Sequence, residues 1–455
     1  MNKLQEYVNS KYDGDMYWFT DEVKDYWHIN RVRDILDNRD YLSGKHKIKN
    51  RIDEVYNGKV FTTRKILLNY AKTLLQFETA FLLKNPVTLI SNNLDALEQY
   101  KTVYREGKYH QLDYSILSNM CKYGETYEYV YIDSNNRIKS MVFNAEDSYP
   151  IYDNTGEMIS FIHYYIWDGV SYYTIYTDDV VIEYNDIGGD LHCTGQYNNL
   201  SGLPIVYRIP SEEDKLVGQA SLREYIDILD AMEDLVSKYM DSFYKYLNPI
   251  PLFKGTKLNT KDGNLVDENA VGFALQLAED SDFQFVNSKM DYQSFKELWK
   301  TLKQSLFDIS MTPSIALNSQ DVSNLAETSI RMMYSLAEIK GSMNSLYLKE
   351  GFEKRWGKMK KLLNVLGNEV DEDAYIDCNF NMNIPQNQGE IITNLSTATE
   401  SGIMSIERAV EVNPYTVDVN AELDRIGKVG KDKAGKDKAG KDKDDRDKVN
   451  VNVED

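Results

Sequence analysis

The residues best able to do chemistry in this 455-residue chain are five histidines, three cysteines and an excess of carboxylates. His28, His46, His110, His163 and His192 share no spacing that would bring two imidazoles to one metal. His192 and Cys193 are adjacent, and adjacent side chains on a strand point to opposite faces, so they make no ligand pair. Cys121, Cys193 and Cys378 are odd in number and far apart, which predicts buried free thiols and no disulfide framework. The chain has no Gly-x-x-x-x-Gly-Lys-Ser/Thr phosphate loop, no His-Glu-x-x-His zinc helix and no Gly-x-Ser-x-Gly nucleophile elbow. Acidic pairs such as Asp53-Glu54 and Asp178-Asp179 fit solvated turns, and nothing singles out a carboxylate set for two metals. The expectation is a protein that is not an enzyme and needs no metal or cofactor.

The formal net charge is −20. A protein that grips nucleic acid through its phosphates shows a basic balance or a basic face, and the overall balance here is acidic. If DNA meets this chain, it meets it loosely, with repulsion helping it slide; otherwise the charge only keeps the protein soluble. Tyrosine is abundant at 34 residues, many of them between Tyr149 and Tyr207. Aromatic residues suit a pleated, half-buried surface, so a Tyr-rich sheet is expected, with a glycan- or partner-binding surface as the alternative. No apolar run approaches the ~18 residues needed to span a bilayer. The N-terminal Met-Asn-Lys-Leu-Gln-Glu-Tyr has no apolar signal core. A cytosolic protein, or part of a particle assembled in a cytosol, is expected, with no membrane contact.

The elements that must position these residues are legible from periodicity. Helices are predicted over Asp21–Asp40, Thr63–Leu83, Leu94–Glu106 and Gln111–Lys122, the second stopped by Asn85-Pro86 and the last by Gly124. From Glu125 to Ile209 the period is two, which predicts an antiparallel meander with turns at Asp133–Asn136, Asn154–Gly156, Asp168-Gly169 and Gly188-Gly189. Ser221–Leu247 then reads as a helix about 40 Å long. Its apolar stripe includes Leu222, Leu229, Val236, Tyr239 and Phe243, with Glu224, Asp227, Asp230, Asp234 and Asp241 largely on the other side. Asn248-Pro-Ile-Pro251 ends it, and a β-rich excursion turning at Asp262-Gly263 follows. The chain returns as helix Asp291–Ser310, with Phe295, Leu298, Trp299, Leu302 and Leu306 on one face and Lys296, Lys300 and Lys303 on another. Thr312–Asp321 is a polar loop. A third helix, capped by Asn324, runs to Leu366, with Gly341, Gly351 and Gly357 predicting a bend. Three short helices follow Pro385: Gln388–Glu400, Ser405–Val412 and Val417–Ile426. A Gly-Lys-Asp-Lys-Ala repeat from Gly430 predicts a nearly neutral, disordered tail. Two helices bracketing an excursion make a leg, and a loop at a helix junction makes a finger. These are parts for an assembly.

Several blocks, in order, give the chain a resemblance to a known family. They are Asp40-Tyr-Leu-Ser-Gly-Lys-His-Lys-Ile48, then Asn69-Tyr-Ala-Lys72 running to Ala80-Phe-Leu-Leu-Lys-Asn-Pro-Val87. Next come Tyr123-Gly-Glu-Thr-Tyr-Glu-Tyr-Val-Tyr131, Tyr149-Pro-Ile-Tyr-Asp153 and Gly202-Leu-Pro-Ile-Val206. Thr312-Pro313, Asn383-Ile-Pro385, Gly389-Glu390, Gly402-Ile-Met-Ser405 and Asn413-Pro414 complete the set. Taken together the chain, except its tail, resembles the SPP1-like portal family of tailed bacteriophages. It departs from the family at Lys84, where Gly is frequent, and at Asn324-Leu-Ala, where a small Ser-Gly pair often opens the helix.

The resemblance implies an α+β, mainly helical portal fold with wing, stem, clip and crown regions, assembled as a cyclic ring of about a dozen subunits around a central channel. Residues 1–209 would be the wing, 210–247 and 291–310 the stem helices, and 248–290 the clip. Residues 311–324 would be the tunnel loop, 325–384 the long helix and its return to the wing, 385–427 the crown, and 428–455 the disordered tail. Asn318, Ser319, Gln320, Asp321 and Asn324 would approach DNA. Asn248, Pro249, Pro251, Asp262 and Gly263 of the clip would dock the motor and adaptors. In a ring, one Asp per helix becomes a belt, so Asp227, Asp234 and Asp241 could line the channel. Lys296, Lys300 and Lys303 either guide DNA there or pair with Glu224, Asp227 or Asp234 of the neighbouring stem. The implied partners are double-stranded DNA, the terminase large subunit, head-completion proteins, and the major capsid and scaffolding proteins. The implied place is the portal vertex of a virion assembled in a bacterial cytoplasm. Two other readings are an adhesive particle component using the Tyr-rich sheet and a metal-dependent nuclease.

Overall fold

The computed structural model describes residues 3–56, 59–246, 250–254, 282–286, 291–313, 327–371, 373–384, 388–413, 415–416, 419 and 421–426. Residues 314–324 of the predicted tunnel loop, Asn248, Pro249, Asp262, Gly263 and the repeat tail lie outside the described residues. The chain divides into two compact units, one of residues 1–317 and 336–383, the other of residues 318–335 and 384–455.

The first unit opens with α1 (Lys3–Tyr12), the single turn α2 (Phe19–Glu22) and α3 (Tyr26–Leu42). The helix predicted over Asp21–Asp40 is therefore interrupted. Asp25 is extended and caps α3, its carboxylate accepting from the Trp27 amide at 2.9 Å. A hairpin of β1 (Glu54–Tyr56) and β2 (Lys59–Phe61) leads to α4 (Tyr70–Leu83). The helix predicted from Thr63 begins only at Tyr70. The amides of Arg64, Ile66 and Leu68 donate to Asp241, Ser237 and Glu233 at 2.9, 3.0 and 2.8 Å. Alternate amides pointing one way mark an extended chain, since successive helical amides all point along the axis.

β3 (Thr88–Ser91), α5 (Leu94–Gly107) and α6 (Tyr109–Tyr123) follow. Gly124 ends α6 at φ +86°, and a Cβ there would overlap the backbone of Gly218. The region of period two builds two sheets where one meander was predicted. β4 (Glu125–Ile132) and β5 (Ile138–Phe143) join the later β11 (Ile205–Arg208) in the order β11-β4-β5. β6 (Ser148–Tyr152), β7 (Met158–Trp167), β8 (Val170–Tyr176), β9 (Val180–Asn185) and β10 (His192–Asn198) form an up-and-down sheet of five. Glu125–Val130 of β4 are all buried, so this strand takes a partner on both edges, and β11 returns to supply the second. The tyrosines behave as expected of a sheet core: Tyr149, Tyr173, Tyr176 and Tyr207 are buried. Cys121 and Cys378 are buried free thiols, but Cys193 is exposed, because β10 is an edge strand with nearly every residue in solvent.

A 3-10 turn at Ser221–Glu224 replaces the first turn of the next predicted helix, and α7 runs Ile226–Tyr246. β12 (Ile250–Lys254) pairs antiparallel with β13 (Asp282–Val286), and α8 (Tyr292–Ile309) returns. α9 spans Glu327–Val365, and β14 (Ile376–Asn379) pairs with β3. Gly351, one of the residues expected to bend α9, serves close packing: a Cβ there would overlap the Tyr207 ring. The largest core gathers α5, α6, β4, β11 and α9 around Tyr104, Tyr109, Tyr207, Phe352 and Trp356. A fully buried Arg355 runs through it, donating from Nε to Glu128 at 2.9 Å and from a terminal nitrogen to Asp113. In the second unit, α10 (Gln388–Glu400) packs on α11 (Ile406–Val412). Gly402 turns between them at φ +71°, and Ser405 caps α11.

Candidate functional site

The predicted stem is an antiparallel pair, α7 and α8. Amphipathic spacing makes each helix, and the two apolar stripes close on one another. Tyr239 stacks on Phe295 with ring centroids 3.8 Å apart. Leu222, Tyr225, Leu229 and Met232 cluster with Leu306 and Phe307 at the root, against Tyr41, Ala71 and Leu74. Asp291 starts α8 by accepting from the Ser294 amide at 3.1 Å.

The other side of α7 was expected to present free acids. Part of it is occupied by its own chain. Glu233 is fully buried and accepts from His46 at 2.7 Å and the Leu68 amide at 2.8 Å. His46 stacks on Tyr41 at 3.8 Å. Burial and the nearby Asp230 and Glu233 carboxylates push the Tyr41 hydroxyl up. Asp230 takes Lys47 at 2.8 Å, which raises the lysine. Asp241 is mostly buried and pairs with Arg51 at 2.6 Å besides capping the Arg64 amide. Glu233, Ser237 and Asp241 recur at i, i+4 and i+8, a spacing visible in the sequence, but nothing there marks them as holding an extended segment.

The remaining predicted charges divide. Asp227 is 91% exposed and only grazes Lys47 at 3.7 Å. Asp234 is half exposed and pairs with Lys238 one turn on, at 2.7 Å. Glu224 takes Lys340 at 3.2 Å. Lys296 and Lys300 are exposed, and neither has an ion-pair partner among the described residues. Lys303 is half-buried over the Phe307 ring at 5.6 Å. Of the predicted clip residues, Pro251 lies in β12, opposite Phe285.

Among the described residues no group of three or more His, Cys, Asp or Glu side chains could hold a metal. Among them, too, no helix is long and apolar enough to cross a membrane. The five histidines are scattered, His28 being buried beside Glu22 and His46 beside Glu233.

Comparison with known proteins bears on this architecture. The family model for phage portal proteins, SPP1 Gp6-like, matches residues 21–436. The portal protein of Bacillus phage SPP1 is 23% identical over 382 residues, covering 77% of this chain and 73% of the relative. Two solved chains come from necks of gene transfer agent (GTA) particles. One, from an empty particle with C6 symmetry, has 10% identity and a TM-score of 0.46, covering 74% of this chain and 87% of the other. The second, from a native particle with C12 symmetry, has 11% identity and a TM-score of 0.44, covering 76% and 91%. With the family match running from α2 past α11, the chain belongs to the SPP1 Gp6-like family of phage portal proteins.

Proposed function

We propose that this chain forms a ring of about a dozen copies around a DNA channel at one vertex of a phage capsid. The observation that carries the reading is the family match over residues 21–436, which spans the α7–α8 leg and the β12–β13 excursion at its end. The leg is the stem, and the excursion with Pro251 is the clip. The clip docks the terminase large subunit during packaging and head-completion proteins afterwards. The β-sheets and α5, α6 and α9 form the wing, which meets the major capsid and scaffolding proteins. Residues 385–427 form the crown. The protein is a structural conduit, and the motor it docks hydrolyses ATP. It assembles in the host cytoplasm and stays in the virion. The loop residues Asn318, Ser319, Gln320, Asp321 and Asn324 touch passing DNA with short, polar side chains that grip weakly. A net charge of −20 suits a passage through which DNA slides.

Negative-stain images of the purified chain test this. Annular particles with a central hole are expected, and end-on views count the copies. A chain that stays monomeric both in sedimentation and within particles would end the reading.

A further inference from the structure

β3 runs beside a basic cleft. Its sheet has the order β14-β3, so β14 covers one edge, and no strand among the described residues covers the other. The ladder shows which groups face that other edge. Cys378, paired with Leu89, donates its amide at 2.7 Å to the Asp377 carboxylate and so not to β3. Bonded and non-bonded pairs alternate along an antiparallel ladder, which makes Leu89–Cys378 a non-bonded pair. The amide and carbonyl of Leu89, and those of Val87 two residues before it, therefore point away from β14.

A cleft of about 680 Å³ lies on that side. Residues 86–89 form one wall, and Lys101, Tyr104, Arg105 and Lys108 at the end of α5 form another. Successive side chains of a strand point to opposite faces, so a cavity bordered by four successive residues runs along the strand's edge.

The charge of the cleft is one-sided. No carboxylate is among the residues lining it. The acids of α5, Asp95, Glu98 and Glu106, line a separate groove on the other flank of the helix. Glu98 does reach across to Lys101 at 2.8 Å, an exposed pair, while Arg105 and Lys108 stand exposed at the rim. A basic cleft is set apart in a chain whose net charge is −20.

We infer that this cleft takes an extended, acidic segment of another protein, which adds to β3 as a third strand. The open edge offers the amides and carbonyls of Val87 and Leu89 to a partner backbone, and the basic wall selects its side chains. Leu89 packs into the core with Tyr100, Val103 and Tyr104 of α5, so its face of the sheet is the α5 face. A partner residue opposite Leu89 shares that face and meets Lys101, Arg105 and Lys108. Its neighbours lie on the outer face, beside Thr88 and the 37% exposed Ile90. The fitting segment thus alternates acidic and apolar residues. A nucleic acid would meet the lysines but has no backbone that pairs with a strand. This inference does not depend on whether copies form a ring.

Fluorescence anisotropy with the full-length chain and a labelled peptide of four Glu-Val repeats tests it. Arg105→Glu combined with Lys108→Asn is expected to weaken binding about tenfold or more. Asn suits position 108, where φ is +55°. The same peptide N-methylated at every residue keeps its charge but cannot pair with an edge, and it should lose a similar factor. Hydrogen exchange over residues 86–91 of the wild-type chain is expected to slow when the parent peptide saturates it, a reading that needs no substitution. No binding of the parent peptide, equal binding of the N-methylated one, or unchanged exchange at saturation would each overturn the inference. A short DNA duplex that binds where the peptide does not, and is lost in the double variant, would make the cleft a phosphate site and overturn it too.

Discussion

Glu22 shows what a buried carboxylate does in this molecule. It is almost wholly buried and accepts from the hydroxyls of Tyr7 and Tyr12 at 2.8 and 2.7 Å, from Lys11 at 3.2 Å and from His28 at 3.2 Å. Burial alone would raise its pKa, but the donors outweigh burial and hold it down to about 2. A carboxylate held low in the folded state stabilises the fold above its unfolded pKa, near 4.5, and that contribution is lost as pH falls towards 2. Burial lowers His28 below its usual value, so its protonation opposes folding in the same acid direction. Wild-type chain is expected to lose up to about 3 kcal/mol between pH 5 and 2 from Glu22, and Glu22→Gln to lose much less across that range, by urea denaturation at stepped pH. Arg355 is the second residue-scale case. Burial raises Asp113 to about 6 although Arg355 pulls it down. Arg355→Met leaves Glu128 and Asp113 buried without a cation and should cost about 3–5 kcal/mol in urea denaturation. Adding Glu128→Gln and Asp113→Asn should recover part of that loss.

At the scale of elements, α7 is fixed by two different kinds of contact. Its α8 side is apolar packing, and its other side is a column of acceptors holding an extended backbone. Glu233→Ala removes the acceptor of the Leu68 amide and the partner of His46, both in a dry setting. It should cost about 2–3 kcal/mol and speed hydrogen exchange at the Leu68 amide. Asp234→Ala, one residue on and half exposed, should change the stability of the single chain by less than about 0.5 kcal/mol. Equal effects from the two substitutions would contradict the layered arrangement. Gly351 and Gly124 act at the same scale, since each lets two elements approach more closely than any Cβ permits.

For the whole molecule, the acidic balance leads to one expectation about passage on the proposed ring reading. On the proposed reading of a DNA conduit, the net charge of −20 repels phosphate, so DNA is expected to pass with little hold. Deleting Ile315–Gln320 should leave annular particles in negative stain intact and impair packaging or retention of DNA. Loss of the rings on that deletion would make the loop a structural link between copies.

Much of this was written in the chain itself. The helices at Leu94–Gly107, Tyr109–Tyr123 and Tyr292–Ile309 follow from spacing of apolar residues and from Asn93, Gly124 and Asp291 at their ends, all local signals. The leg of two helices around a β excursion was legible for the same reason, and the ordered blocks from Asp40 to Pro414 pointed to the portal family. Local spacing cannot report what lies on the far side of an element. The segment before Tyr70 has helical periodicity, yet it is extended, because Glu233, Ser237 and Asp241 lie more than 160 residues away in sequence and take its amides. β11 likewise leaves the meander because the buried edge of β4 needs a partner. The acids of α7 looked like one exposed stripe in sequence. Only tertiary packing decided that Glu233 and Asp241 are held inside the chain while Asp227 and Asp234 remain outward, since burial depends on neighbours brought in by long-range folding. What the amino-acid order determined is a part with a leg and a finger. What the tertiary structure decided is which face of that leg is left to meet something else.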